Sequence, residues 1–321
     1  MSPIDVLVLR DEINMLRVDR YVDALRERLP EDTVRVADTP AEKQRLASRA
    51  RVISSVTIDP SLIREAEELA LFAGVAAGYD HLPLDVFAEE GVAVTNGSGI
   101  HAPNIAEQVL GYILDHVRNF RTGRRQQRRN VWQHYRAGEL KGSTVMIVGL
   151  GSIGQAIAQR VSAFEVDTVG VRYSPEKGGP TDSVIGFSTD EFSRELVGTD
   201  YLIVASPLSE TTRGLIDEGV LQRLPNHAYL VNIARGEIVD TDALVDAIQR
   251  NWIGGAALDV TDPEPLPSDH QLWNFENVTI TPHMAGHSPS IYGRLADLVA
   301  ENVRLLDTDG PETTFQNEIQ T

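Results

Sequence analysis

Apolar residues recur along this chain with two alternating periods. Ile4–Leu9, Arg51–Val56, Leu69–Val75 and Val92–Thr95 are short runs of mostly apolar residues and read as strands. Between them, stretches such as Met15–Leu29 and Pro60–Glu68 carry apolar residues at helical spacing. From Pro103 to about Gln127 the pattern predicts one long helix, with Asn104 and Glu107 near its start and a stripe through Val109, Ile113 and Val117. A second series of strands then begins: Thr144–Gly149, Asp167–Arg172, Tyr201–Ala205, Tyr229–Ile233, Ala256–Val260 and Val278–Thr281. A last helix is expected over about Pro289–Leu306, followed by a polar, loose tail at Asp307–Thr321.

Strands that are apolar throughout, alternating with amphipathic helices, predict an α/β protein whose parallel sheets are covered on both faces. Two such series parted by a long helix predict two domains. The expected boundaries fall near residues 99–102 and 283–288, where Gly97-Ser98-Gly99 and Ala285-Gly286 supply small residues. One domain would comprise residues 1–100 plus 285–321, and the other residues 101–284. Asn96, Gly97, Ser98 and Gly99 would form a crossing between them.

The glycines narrow the chemistry. Val145-Met146-Ile147-Val148 runs into Gly149-Leu150-Gly151-Ser152-Ile153-Gly154, and Gln155–Ala163 reads as a helix. A GxGxxG between a strand and a helix is the dinucleotide-binding arrangement. The first glycine turns the chain, the second admits a pyrophosphate, and the third lets the helix pack on the sheet. The helix start offers free N–H groups to the anion. A glycine-rich turn with no ligand would carry the same residues, so the next strand matters. An NAD site ends that strand with an acid for the ribose 2′-OH. Here Arg172 stands in its place, followed by Tyr173 and Ser174. A guanidinium and a hydroxyl suit a 2′-phosphate, which predicts NADP(H) as the preferred cofactor with NAD(H) possible. A solvated loop arginine is the other reading of Arg172.

Three further strand ends carry reactive groups: Arg235 in Val231-Asn232-Ile233-Ala234-Arg235-Gly236, Glu264 in Asp259-Val260-Thr261-Asp262-Pro263-Glu264-Pro265, and His283 in Thr281-Pro282-His283-Met284-Ala285-Gly286. Parallel α/β sheets bind ligands at that edge. With GLGSIG, NIARG, DPEP and TPHMAG in this order, the chain resembles the D-isomer-specific 2-hydroxyacid dehydrogenases, which include glyoxylate/hydroxypyruvate reductases. The similarity runs from the first strand to about Leu306.

That resemblance implies two Rossmann-like/flavodoxin-like domains with a cleft between them, a split substrate domain and an inserted cofactor domain. It implies a catalytic set of Arg235, Glu264 and His283. Hydride arriving at a 2-keto acid puts negative charge on the carbonyl oxygen. Histidine can protonate that oxygen, a glutamate beside it favours the imidazolium, and arginine can hold the substrate carboxylate. The resemblance also implies that Ala76, Ala77 and Gly78 present N–H groups to the substrate carboxylate, together with Arg235 and His283. It places Ser206 and Pro207 beneath the nicotinamide and Asp259 on its amide, with Ala234 among the cofactor contacts. A homodimer is implied, with Asn130–Lys141 as a dimerisation arm whose Trp132, His134 and Tyr135 would fill an interface or reach the substrate pocket of a partner.

Composition and charge bound the alternatives. The 321 residues are 42% hydrophobic and contain no cysteine, which excludes disulfides, thiolate metal sites and a cysteine nucleophile. The remaining histidines show no metal-ligand spacing, and no metal is expected. No apolar run reaches the length of a membrane span, and the first residues lack the basic stretch of a signal peptide, so a cytoplasmic protein is expected. The net charge of −18 disfavours nucleic acid, despite Arg118, Arg121, Arg124, Arg125, Arg128 and Arg129 in one stretch. Only Lys43, Lys141 and Lys177 are lysines. Acid excess with few lysines resembles proteins of salt-loving organisms, where a Debye length of about 3 Å at molar salt screens self-repulsion. An ordinary acidic protein remains the other reading. The expected activity is NADPH-dependent reduction of small 2-keto acids to D-2-hydroxy acids. A nucleotide-sensing scaffold or corepressor of the same fold is the alternative, and the intact Arg–Glu–His set favours the enzyme. A formate-oxidising relative is disfavoured, because such enzymes pair the histidine with glutamine.

Overall fold

The computed structural model describes residues 4–10, 17–30, 33–79, 81–187, 189–311 and 313–319. The expected start of the first helix at Met15 lies outside these residues, as does Asp80. The chain divides into two compact units. Unit 1 comprises Met1–Ile100 with Ser288–Thr321, and unit 2 comprises His101–His287.

Unit 1 alternates β1 (Ile4–Leu9), α1 (Val18–Arg26), β2 (Val34–Ala37), α2 (Pro40–Ala47), β3 (Ala50–Ser55), α3 (Pro60–Glu65), β4 (Leu71–Gly74), α4 (Leu84–Glu90) and β5 (Ala93–Thr95). The parallel strands lie in the order β2, β1, β3, β4, β5. Val6 and Val8 face one apolar layer and Leu7 and Leu9 the other, so both sheet faces are covered. The helix Ile291–Asp309 buries Leu295, Val299, Val303 and Leu306 in the first of these layers.

The polar tail departs from expectation. That helix continues through Asp307 to Asp309, Phe315 is buried, and Glu318–Ile319 pairs antiparallel with β5. Buried Asn302 holds the Gln316 backbone through both amide atoms, 3.1 and 2.9 Å. Asn317 Nδ2 donates to the carbonyls of Asn96 and Ser98. Side-chain amides and one phenyl ring thus dock a segment whose average polarity gave no sign of it.

Unit 2 opens with α5 (Ala102–Val117) and α6 (Phe120–Arg128). These correct the single helix expected over 103–127. The chain breaks at Asn119, which adopts φ 52° in the left-handed region, where asparagine is tolerated better than most residues. Its side chain accepts from the Thr122 hydroxyl and donates to the Arg136 carbonyl. The burial pattern explains the break: α5 buries Ile105, Val109, Tyr112 and Ile113, whereas α6 buries nothing.

Next come β6 (Thr144–Val148), α7 (Ser152–Val161), β7 (Asp167–Val171), β8 (Ser183–Ile185), α8 (Thr189–Leu196), β9 (Tyr201–Val204), α9 (Glu218–Arg223), β10 (Tyr229–Asn232), α10 (Thr241–Gln249), β11 (Gly255–Leu258) and β12 (Val278–Ile280). All seven strands are parallel, in the order β12-β11-β10-β9-β6-β7-β8. Met146 and Val148 point into the layer shared with α8, α9 and α10, while Val145 and Ile147 point into the layer shared with α5 and α7. Strand order reverses between β6 and β9, which is where doubly wound sheets open a ligand crevice.

Candidate active site

The C-terminal edge of the unit 2 sheet collects nearly all the residues that the sequence singled out there. In spatial order, β12 leads to His283, β11 to Asp259 and Glu264, β10 to Arg235, β9 to Ser206, β6 to Gly149 and β7 to Arg172. At about 4.8 Å per strand, this row is roughly 24 Å across.

One half of this row is shaped by close backbone approach. Gly149 has φ 104°, and a Cβ there would fall 2.7 Å from the backbone N and Cα of Ser206. A Cβ on Gly154 would strike the Gly149 carbonyl oxygen at 1.9 Å. Gly151, in contrast, borders open space, with nothing within 4 Å of a built Cβ. It is the N-cap of α7 and supplies no side-chain cap, so the helix start at Ser152 and Ile153 keeps its N–H groups for a ligand. The Ser206 Oγ is buried and has no hydrogen-bond partner among the described residues. Pro207 follows it in a loop closed by Thr212, whose hydroxyl donates to the Pro207 carbonyl at 2.8 Å. An orphaned hydroxyl beside an open glycine turn at a helix start fits a phosphate-bearing dinucleotide.

Arg172 leaves β7 half-buried, and its Nη1 donates to the Gly178 carbonyl at 2.5 Å. This bond fixes the guanidinium within its own loop while leaving other N–H groups available. Tyr173 is exposed and Ser174 is half-buried.

The other half holds the titratable groups. His283 Nδ1 lies 2.7 Å from Glu264 Oε1, and both side chains are about half-exposed. Arg235 is exposed, and its Nη1 donates to the Ala234 carbonyl at 2.7 Å. Asn232 shapes this bend by accepting from Ala234 N–H and donating to the Arg235 carbonyl. The adjoining Gly236 packs against the turn that bears Glu264, since a Cβ on it would fall 2.1 Å from the Thr261 carbonyl. The backbones carrying Arg235 and Glu264 are therefore in contact. Arg235 itself forms no ion pair with Glu264 among the described residues.

Asp259 is buried and accepts from the Thr281 hydroxyl and the backbone N–H groups of Met284 and Ala285. Its carboxylate thus holds the turn of His283, a task set by contacts that no local motif announces. Thr281 and Tyr112, whose hydroxyls are in hydrogen-bond contact, carry no motif in the sequence that would mark them as part of this site.

In unit 1, the carbonyls of Ala76 and Ala77 accept from Gly97 N–H and Asn96 Nδ2. The N–H groups of Ala76, Ala77 and Gly78 make no hydrogen bond among the described residues. The described residues contain no metal-binding cluster, and no described helix is long and apolar enough to cross a membrane.

Comparison with known proteins agrees with this geometry. The sequence model for the NAD binding domain of D-isomer specific 2-hydroxyacid dehydrogenases matches residues 110–285. A glyoxylate reductase of Thermofilum pendens is 35% identical over 82% of this chain and 79% of its own. One from Pyrococcus furiosus is 31% identical over 91% and 87%. Among solved structures, a D-isomer specific 2-hydroxyacid dehydrogenase from Xanthobacter autotrophicus Py2, in complex with NADPH and MES, has a TM-score of 0.79 at 25% identity, covering 99% of this chain and 98% of that one. A family member from Aeromonas salmonicida has a TM-score of 0.78 at 28% identity, covering 98% and 99%. This chain belongs to the D-isomer specific 2-hydroxyacid dehydrogenase family and is an NAD(P)-dependent dehydrogenase.

Proposed function

We propose that this enzyme reduces glyoxylate or a similarly small 2-keto acid with NADPH, using His283 as the proton donor. The observation that carries this reading is the His283–Glu264 hydrogen bond on the strand edge that also bears Arg235 and the dinucleotide turn. A carboxylate only accepts hydrogen bonds, so in this pair Nδ1 bears a proton and Nε2 is left to face the substrate. Glu264 orients the ring by accepting from Nδ1–H, and Nε2–H delivers its proton to the carbonyl oxygen as the carbon is reduced. Arg235 has further guanidinium donors to bind the substrate carboxylate and polarise the carbonyl. Ala76, Ala77 and Gly78 are assigned to substrate binding through their N–H groups.

Gly149, Gly151, Ser152, Ile153 and Gly154 would hold the pyrophosphate, Ser206, Pro207, Ala234 and Asp259 the nicotinamide half, and Arg172, Tyr173 and Ser174 a 2′-phosphate. When bound, the reduced nicotinamide supplies the hydride. Charge at Arg172 favours NADPH over NADH, as a guanidinium pairs with phosphate where an acid would repel it. Glyoxylate is proposed because relatives at 31–35% identity bear that name.

The exposed aromatic residues Phe120, Trp132 and Tyr135 border a concavity of about 780 Å³ and are read as the surface that meets a second copy. A sedimentation profile showing only monomer would remove that part. The test of the whole is a panel of 2-keto acids with NADPH and NADH in dilute and molar salt. Turnover of the smallest acids, faster with NADPH and sustained by salt, is expected. NADH preference would overturn the Arg172 assignment, full activity in dilute buffer the salt adaptation, and no turnover of any 2-keto acid the function.

A further inference from the structure

His283 occupies φ 49°, a left-handed backbone conformation that non-glycine residues seldom adopt without support. Its support comes from Asp259. The His283 N–H donates to the Asp259 carbonyl at 2.7 Å. The Asp259 carboxylate takes Met284 N–H at 2.9 Å and Ala285 N–H at 2.8 Å, so one buried side chain organises the whole turn. It also takes the Thr281 hydroxyl at 2.5 Å.

The direction of the remaining bonds follows from what each group can donate. Asp259 only accepts, so Thr281 must give it its single proton. Thr281 then accepts from the Tyr112 hydroxyl, with which it is in hydrogen-bond contact. Tyr112, having donated, accepts from Gln108 Nε2 at 2.9 Å. Burial is the main reason that the Tyr112 hydroxyl holds its proton more tightly than an ordinary tyrosine. Helix α5 also grips the far side of the turn: Asn104 donates to the Ala285 carbonyl at 2.7 Å, and His101 bonds the Gly286 carbonyl at 2.9 Å.

We propose that Thr281 and Tyr112 are positioning residues for His283, forming a one-way relay from α5 through Asp259 that fixes the imidazole against Glu264. Neither hydroxyl bonds the ring; both act through the Asp259 carboxylate and the backbone that it holds. The proposal rests on His283 being the proton donor. Loss of the Thr281 hydroxyl lets the turn relax toward commoner backbone angles and carries the ring away from the reacting oxygen, where small displacements cost large factors in rate.

The test compares wild type, T281V, T281S, Y112F and H283A in single-turnover oxidation of bound NADPH by glyoxylate. NADPH dissociation constants and melting temperatures are measured alongside. T281V is expected to lose about 30-fold in rate and Y112F about 5-fold. NADPH affinity should stay within threefold in both, and T281S should recover most of the rate because it keeps the donor. The double variant Y112F/T281V should be little slower than T281V, since one relay is broken only once. With H283A inactive, a T281V enzyme at wild-type rate overturns the relay. So does T281S as slow as T281V, or a rate loss that follows weaker NADPH binding. Wild-type turnover by H283A refutes the proton-donor reading and the relay with it.

Discussion

The two ends of the unit 2 sheet each carry a histidine, and they differ in what surrounds the ring. At the C-terminal edge His283 is half-exposed, bonded to a carboxylate and held in an uncommon backbone conformation. At the opposite edge, where β9 and β10 begin, His116 stacks on Tyr229 at 4.0 Å and meets the edge of Tyr201. Burial, reinforced by the charge of Arg121, pushes its pKa down to about 4, so this ring is neutral. One imidazole meets solvent beside a carboxylate, and the other packs between aromatic rings. Residue type alone does not separate them; the partner at Nδ1 and access to solvent do.

That contrast can be broken by substitution at either edge. The largest effect is expected for R235A, which should lower kcat/KM on the order of a thousandfold for a 2-keto acid. R235K should recover only part, because an ammonium lacks the paired donors of a guanidinium. A loss under tenfold in R235A would show that the catalytic edge does not depend on it.

R172D should act at the same edge on coenzyme choice alone. The KM for NADPH is expected to rise on the order of 30-fold while that for NADH stays within about threefold. Equal changes for both coenzymes would show that Arg172 shapes the loop rather than reads the phosphate.

The smallest effect is expected at the opposite edge. The folded pKa of His116 lies below its unfolded value of about 6.5. Between those values the unfolded chain binds the extra proton, so stability is lost as pH falls from about 6.5 to 4, by on the order of 3 kcal/mol. Urea unfolding across that window should show a shallower acid loss in H116F, with kcat unchanged. A fall in kcat would erase the distinction between the two edges.

Legibility in the sequence followed the range of the interactions. Strands such as Thr144–Val148 and Tyr229–Asn232 carry their signal locally, in runs buried on both faces. The glycine turn, NIARG, DPEP and TPHMAG are equally local, and the parallel order of the sheet sets their strand ends side by side. The break at Asn119 was hidden because α6 is rich in residues that favour helix; only the absence of a buried face distinguishes it. The order of the tail has no local signal, because it comes from Phe315, Asn317 and a two-residue pairing with distant β5. The relay to His283 was invisible for the same reason, since Tyr112 and Thr281 are 169 residues apart.

If the His283 edge reduces a 2-keto acid with hydride from a nicotinamide, the transferred hydrogen must end on the product's carbon. Mass spectrometry of the product formed from glyoxylate and NADPH carrying deuterium at the transferred position decides this. One deuterium bonded to C2 of glycolate, with none acquired from deuterated solvent in the reverse labelling, is the predicted result. Glycolate free of label at C2, or no glycolate at all, would contradict it.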